Sequence, residues 1–161
     1  MGFFSRGSGA KKTVKVEAKF VPAGDHVPIV GESYRQDALR QLAAHTTDCT
    51  PFLDGLSDHA LAQAEKERGG RWFRAALLRE PGNEHDPNAI AVYAASGGQI
   101  GYLSREDALK YRKIFEPLSA LGFTAASCPA FFIGGTEGKP SYGVMLCLSS
   151  PERILAYLAE S

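Results

Sequence analysis

Two short runs on either side of Gly97-Gly98 limit what this chain can become. In residues 89–94 (AIAVYA), Ile90 and Val92 alternate with Ala89, Ala91 and Tyr93, and residues 99–103 (QIGYL) make a second run of strand length after the glycines. A period of two belongs to a half-buried strand, because successive side chains leave opposite faces. The two runs therefore read as a strand, turn, strand unit. Its entrance, residues 81–88 (PGNEHDPN), is crowded with amides and carboxylates. Asn83, Asp86 and Asn88 can bond their own backbone two residues on, and the prolines fix φ beside them, so this loop is expected to be stiff. A stiff polar loop at a strand end is a natural place for binding residues.

The remaining runs add strands and helices around that unit. Residues 14–21 (VKVEAKFV) set Val14, Val16, Ala18 and Phe20 against Lys15, Glu17 and Lys19, the pattern of an edge strand with one charged face. Residues 26–31 (HVPIVG) form another short strand, where Pro28 is tolerable only at an edge or strand start. Ser33 and Gln36 make a capping box, with Ala38, Leu39, Leu42 and Ala43 following at helical spacing. A loop from residue 46 and a polar helix from Ser57 to Arg68, closed by Gly69-Gly70, read together as a surface insertion over about 46–70. Residues 71–79 (RWFRAALLR) are a strand, with Trp72 and Phe73 in the core. Ser104 caps the next helix, in which Ala108, Tyr111, Phe115 and Leu118 share one buried face. Residues 123–133, including Phe131 in the core, and residues 142–148 supply two last strands. Ser150-Pro151 then opens a closing helix over about 150–159, with Ile154, Leu155 and Leu158 inward. About six to seven short strands without regular strand-helix alternation predict a mainly β chain with added helices (α+β), a small β-barrel with peripheral helices.

Length and charge narrow the functional classes. The chain has 161 residues, the size of one domain, read as a flexible leader over 1–12 and a single domain over 13–161. Eighteen basic residues balance eighteen acidic ones, so a nucleic-acid surface would have to be local. Cys49, Cys128 and Cys147 lie far apart without metal spacing, which reads as reduced thiols in a cytoplasmic protein and argues against a structural zinc. His26, His45 and His59 show no partner spacing and read as surface residues. No stretch approaches the ~20 apolar residues of a membrane span, and no cofactor or membrane partner is expected.

Three blocks together identify a resemblance. IVGESY (residues 29–34), LLREPGNEHDPNAIAVY (residues 77–93) and GGQIGYLSRE (residues 97–106) stand in the order and rough spacing of a HIRAN domain, and the resemblance covers roughly 26–148. It implies a compact OB- or SH3-like barrel. In eukaryotic fork-remodelling proteins such a domain binds single-stranded DNA and grips the free 3′ end, whereas other members stand alone in bacteria, as this one resembles. The chain has no Walker motif and no RING-type cysteine array, so the helicase, nucleotide hydrolase and ligase activities of fused relatives do not carry over.

The resemblance also implies roles for particular residues. Tyr34 matches the family's stacking aromatic, Asp86 the carboxylate that accepts from a 3′ hydroxyl, and Asn83 a polar contact on the same loop. His85 stands where relatives often carry tyrosine. Tyr102 and Arg105 match a ring or imidazole and a phosphate-facing cation, with Arg35 and Lys110 further basic candidates by position. Ser33 replaces an arginine of the DNA-gripping relatives. The implied function is a non-enzymatic module binding single-stranded DNA at its 3′-hydroxyl end in DNA repair or damage surveillance, with a protein partner in DNA maintenance also in view. The alternative is a protein interaction barrel that has lost DNA binding, motivated by zero net charge, Ser33 and His85. A hydrolase built on His85 and Asp86 lacks a nucleophile and a metal set. Asp86 and Asn88 have a plainer role open to them as turn locks, and Arg105 as a solvated first-turn residue.

Overall fold

The strand, turn, strand unit forms the middle of a closed barrel. The computed structural model describes residues 2–6, 12–24, 26–44, 72–94 and 98–161. In chain order these form β1 (Gly2–Arg6), β2 (Lys12–Val16), β3 (Ala18–Phe20), β4 (His26–Val30), a 3-10 turn (Glu32–Tyr34), α1 (Gln36–Ala44), β5 (Trp72–Arg79), β6 (Ile90–Ala94) and β7 (Gln99–Leu103). They continue as α2 (Arg105–Tyr111), a second 3-10 turn (Arg112–Ile114), α3 (Phe115–Ala120), β8 (Ala125–Gly134), β9 (Tyr142–Cys147) and α4 (Pro151–Ala159). Strands β8, β5, β6, β7, β4 and β9 pair antiparallel in that order, and β9 pairs back onto β8, closing a six-stranded OB-like barrel. Closure leaves no free edge within the ring. Strand β3 adds to β8 in parallel, as one extra strand.

The ring closes through a change of partner inside β4. His26 to Pro28 pair with β9, and Ile29 and Val30 pair with β7. Pro28, which has no N–H to give a ladder, lies at the changeover. The crossing of β4 over β7 is close: a Cβ on Gly101 would lie 2.6 Å from the Val30 carbonyl oxygen and 3.0 Å from Ile29 Cδ1, so only glycine fits there.

The main core combines Leu77, Ile90, Val92, Ile100, Phe131, Phe132 and Leu146 of the barrel with Leu39, Ile114, Leu118 and Ile154 of the helices. Burial of each large side chain is worth about 1.5–3 kcal/mol. Trp72, Phe73 and Phe115 are buried as expected, and so are Ala108, Tyr111 and Leu118 of the predicted helix face. The Ser104 cap forms, its Oγ accepting from the Asp107 N–H at 3.1 Å.

Several expectations are corrected. Strand β6 is buried on both faces: Ala91 and Tyr93 join Val16, Ala18, Ala76, Leu78 and Ala125 in a second, smaller cluster on the outer side of the barrel. Residues 2–6, expected in a leader, form β1 by antiparallel pairing with β2, a gain that composition does not register. The strand expected over 14–21 is interrupted at Glu17, whose carbonyl accepts from the N–H groups of Thr124 (2.8 Å) and Ala125 (3.2 Å). The capping box does not form: Ser33 lies inside the 3-10 turn, and Gln36 is engaged with the turn and β9. His26 packs edge-on against Phe131, ring centroids 5.1 Å apart, so it belongs to the barrel wall. The expected insertion over 46–70, with Cys49 and His59, lies outside the described residues, as does His45.

Candidate nucleic-acid interface

Gly31 begins the site. Its φ of 83° is open to glycine at little cost, and it turns β4 directly into the 3-10 turn that carries Tyr34. The Tyr34 N–H donates to the Gly31 carbonyl at 3.3 Å, and the ring projects with 91% of its surface exposed. An aromatic so uncovered contributes little to the core and presents a flat face to a ligand. Arg35, next along, is half-buried, and its Nη1 stands 3.5 Å from the Gln99 carbonyl of β7, a long and weak bond.

The turn is held from behind by two residues of its own neighbourhood. Gln36 Nε2 donates to the Glu32 carbonyl (3.0 Å) and the Tyr142 carbonyl (2.9 Å), while its Oε1 accepts from the Tyr142 N–H (2.8 Å). One side-chain amide thus bonds the β9 backbone as a neighbouring strand would. Glu32 Oε2 accepts from the Val144 N–H at 3.3 Å. Burial raises the Glu32 carboxyl above its ordinary pKa, against the opposing pull of that backbone bond and of Lys139.

The stiff loop is built as its sequence implies. Asn83 Oδ1 accepts from the N–H groups of His85 (2.9 Å) and Asp86 (3.0 Å), and Asp86 Oδ1 accepts from the Asn88 N–H at 2.9 Å. These bonds show turn-locking by Asn83 and Asp86, whereas the Asn88 side chain, for which the same role was open, accepts from Arg112 instead. His85 is exposed at the tip. Glu80, which the sequence did not single out, joins two parts of the site: its Oε1 accepts from Asn83 Nδ2 and from the Tyr102 hydroxyl, both at 3.0 Å. The only cue to it was its place three residues before Asn83 at the Pro-Gly turn.

Tyr102 therefore connects the elements. It lies opposite Val30 of β4 on one side and Ala91 of β6 on the other, and its hydroxyl reaches the loop through Glu80. The structure brings Asn83, Asp86 and Tyr102 into one bonded group, with the Tyr34 turn entering from the β4 side of the same strand. Arg105 stands apart, exposed at the start of α2, and has no hydrogen bond or ion pair among the described residues. Lys110 is paired with Glu106 at 3.4 Å. Arg112, also missed in the sequence, donates from Nη1 to Asn88 Oδ1 at 2.9 Å and ties the helix to the loop. With Glu80, Glu84 and Asp86 on or beside the loop, phosphates must be held by cations from outside it.

Residues 72–125 match the family model of the HIRAN domain, about a third of the chain, from the first residue of β5 to the first of β8. This stretch is similar to a HIRAN domain. The match contains Asn83, His85, Asp86, Tyr102 and Arg105, while Tyr34 and Arg35 lie outside it, on the segment that follows β4, the strand that pairs with β7. HIRAN domains are DNA-binding modules, and the domain itself binds rather than catalyses. A crystal structure of a protein from Lactobacillus plantarum is similar over 78% of this chain and 91% of its own, with 22% identity and a TM-score of 0.37. No curated protein matches the chain in sequence. Among the described residues no helix is long and apolar enough to cross a membrane, and no cluster of His, Cys, Asp or Glu could hold a metal ion.

Proposed function

We propose that this HIRAN-like domain binds single-stranded DNA by its 3′-hydroxyl end, without chemistry on the strand, as a cytoplasmic module of DNA repair or damage surveillance. The observation that carries this reading is the bare Tyr34 ring, mounted on a braced turn beside the strand that holds Tyr102. Stacking of the terminal base on such a ring is worth about 1–3 kcal/mol. Asp86 has one oxygen committed to the Asn88 N–H, and its other oxygen carries no hydrogen bond among the described residues, leaving an acceptor for the 3′ hydroxyl. A terminal phosphate in the same place would meet like charge. Arg35 and Arg105 are the cations for the first phosphates, while Asn83 and His85 edge the terminal sugar.

Fluorescence anisotropy with single strands ending in a 3′ hydroxyl, single strands ending in a 3′ phosphate, and circles tests this. The expected order is hydroxyl tightest, with all affinities rising as salt falls. Negligible binding to every substrate at low salt would overturn the reading in favour of a protein interaction barrel. Ser33 and the balanced charge favour that second reading. A protein partner that co-purifies in stoichiometric amount after nuclease treatment would support it.

A further inference from the structure

Beside the loop, away from the Tyr34 turn, a groove of about 1010 Å³ runs between the end of β5 and the helical segment that follows β7. Leu78, Phe115 and Phe123 give it an apolar floor, and Arg79, Arg112 and Lys113 stand around it against the single acid Glu116. Lys113 is already engaged by Glu152 at 2.8 Å. The side chain of Arg79, exposed at the last position of β5, has no hydrogen bond or ion pair among the described residues. Among the described residues the Arg112 guanidinium bonds the neutral Asn88 side chain and makes no ion pair, so its position is fixed while its charge is not cancelled.

We propose that this groove carries the phosphates of a single strand upstream of the terminal nucleotide, with Arg79 and Arg112 as its anchoring cations. The proposal rests on the single-strand reading above and extends it to a second part of the surface. The Arg112–Asn88 bond makes loop and groove continuous, since Asn88 closes the turn that Asp86 opens. Arg105 and Arg112 are seven residues apart, two helical turns, and so share one face of the helical segment about 10 Å from each other. At the ~3.4 Å rise of one strand in a duplex, that distance spans about three nucleotides. A guanidinium already held by Asn88 loses less freedom on meeting a phosphate than a free side chain does. Acids on or beside the loop repel phosphate there, and a cationic groove next to it gives the strand a path out.

Length separates this idea from the reading it depends on. Anisotropy is measured for single strands with a 3′ hydroxyl of about three and about ten nucleotides, the latter spanning loop and groove together. The full chain is used as wild type, Arg79→Gln, Arg112→Gln and Arg153→Gln. Wild type is expected to bind the longer strand about tenfold tighter. Arg79→Gln loses most of that advantage while binding the short strand as wild type does, and its salt slope on the long strand falls by about 0.7. Arg112→Gln retains an amide donor for Asn88 and follows the same pattern, while Arg153→Gln, on α4 and outside the groove, leaves both affinities unchanged. Equal wild-type affinity for the two lengths, or equal weakening of both by Arg79→Gln, overturns the groove and leaves end binding intact. Binding of neither length overturns both. Competition by a poly-glutamate peptide as effective as the long strand would assign the groove to an acidic protein and also overturn the proposal.

Discussion

Asp86 shows how one side chain can serve the loop and a ligand with different atoms. Oδ1 accepts from the Asn88 N–H at 2.9 Å, a local bond that an asparagine could make equally well through its own Oδ1. The negative charge, by contrast, has no structural employment among the described residues. Asp86→Asn should therefore leave the loop folded, with unfolding free energy in urea within about 0.5 kcal/mol of wild type. It should at the same time cost the preference for a 3′ hydroxyl over a 3′ phosphate about tenfold, because a charge-assisted bond of ~1.5 kcal/mol or more is lost and the repulsion is lifted. A variant that melts early and keeps its end preference would make Asp86 a turn lock alone. The loop's internal bonds were legible because Asn83 and Asp86 act on neighbours two or three residues away, whereas the Asn88 side chain, expected to do the same, accepts from Arg112, 24 residues on. Glu80 was not legible, since its second partner, Tyr102, comes from a different strand.

At the level of elements, the Tyr34 turn depends on Gln36, whose single amide makes three bonds to backbone groups of Glu32 and Tyr142. Gln36→Ala strands the Tyr142 N–H and carbonyl at a half-buried position, and a loss of about 1–3 kcal/mol of stability follows from the unsatisfied groups. Affinity for a 3′-hydroxyl strand should fall severalfold too, through misplacement of a ring that Gln36 does not touch. Gln36→Glu keeps one acceptor for the Tyr142 N–H and should recover part of both losses, which urea unfolding and anisotropy together would register. Unchanged binding in a destabilised Gln36→Ala variant would separate the brace from the site. The sequence announced a helix here but misplaced its start, because Ser33 and Gln36 satisfy the capping-box pattern while the competing partner, Tyr142, lies 106 residues away. The β6–β7 hairpin and the α2–α3 face, whose contacts are local in sequence, were read within a residue or two.

The whole molecule is set by one long-range event, the pairing of β8 with β9 and of both with the rest of the ring. Strand count and lack of strand-helix alternation pointed to a barrel, but nothing local states that β4 divides its ladder between β7 and β9, or that β3 joins β8 in parallel. Closure seals Cys128 of β8 and Cys147 of β9 in the interior as free, fully buried thiols. Burial pushes the Cys147 thiol up to about 12 and raises Cys128 further, with Cys147 adding to the shift. A folded pKa above the unfolded value near 9.0 means that each thiol's contribution is fully present below pH ~9 and is lost as pH rises from there toward 12, when only the unfolded chain readily ionises. Wild type should lose its stability margin over Cys147→Ala between pH 8 and pH 10.5 in matched urea titrations, even though at pH 8 the variant is the weaker by about 1 kcal/mol for its small cavity. Peptides bearing Cys128 and Cys147 should likewise resist iodoacetamide at pH 8 until urea opens the barrel, as mass spectrometry of the digest would record. Rapid native-state alkylation of either, or a margin independent of pH, would mean that the seam between β8 and β9 opens on its own.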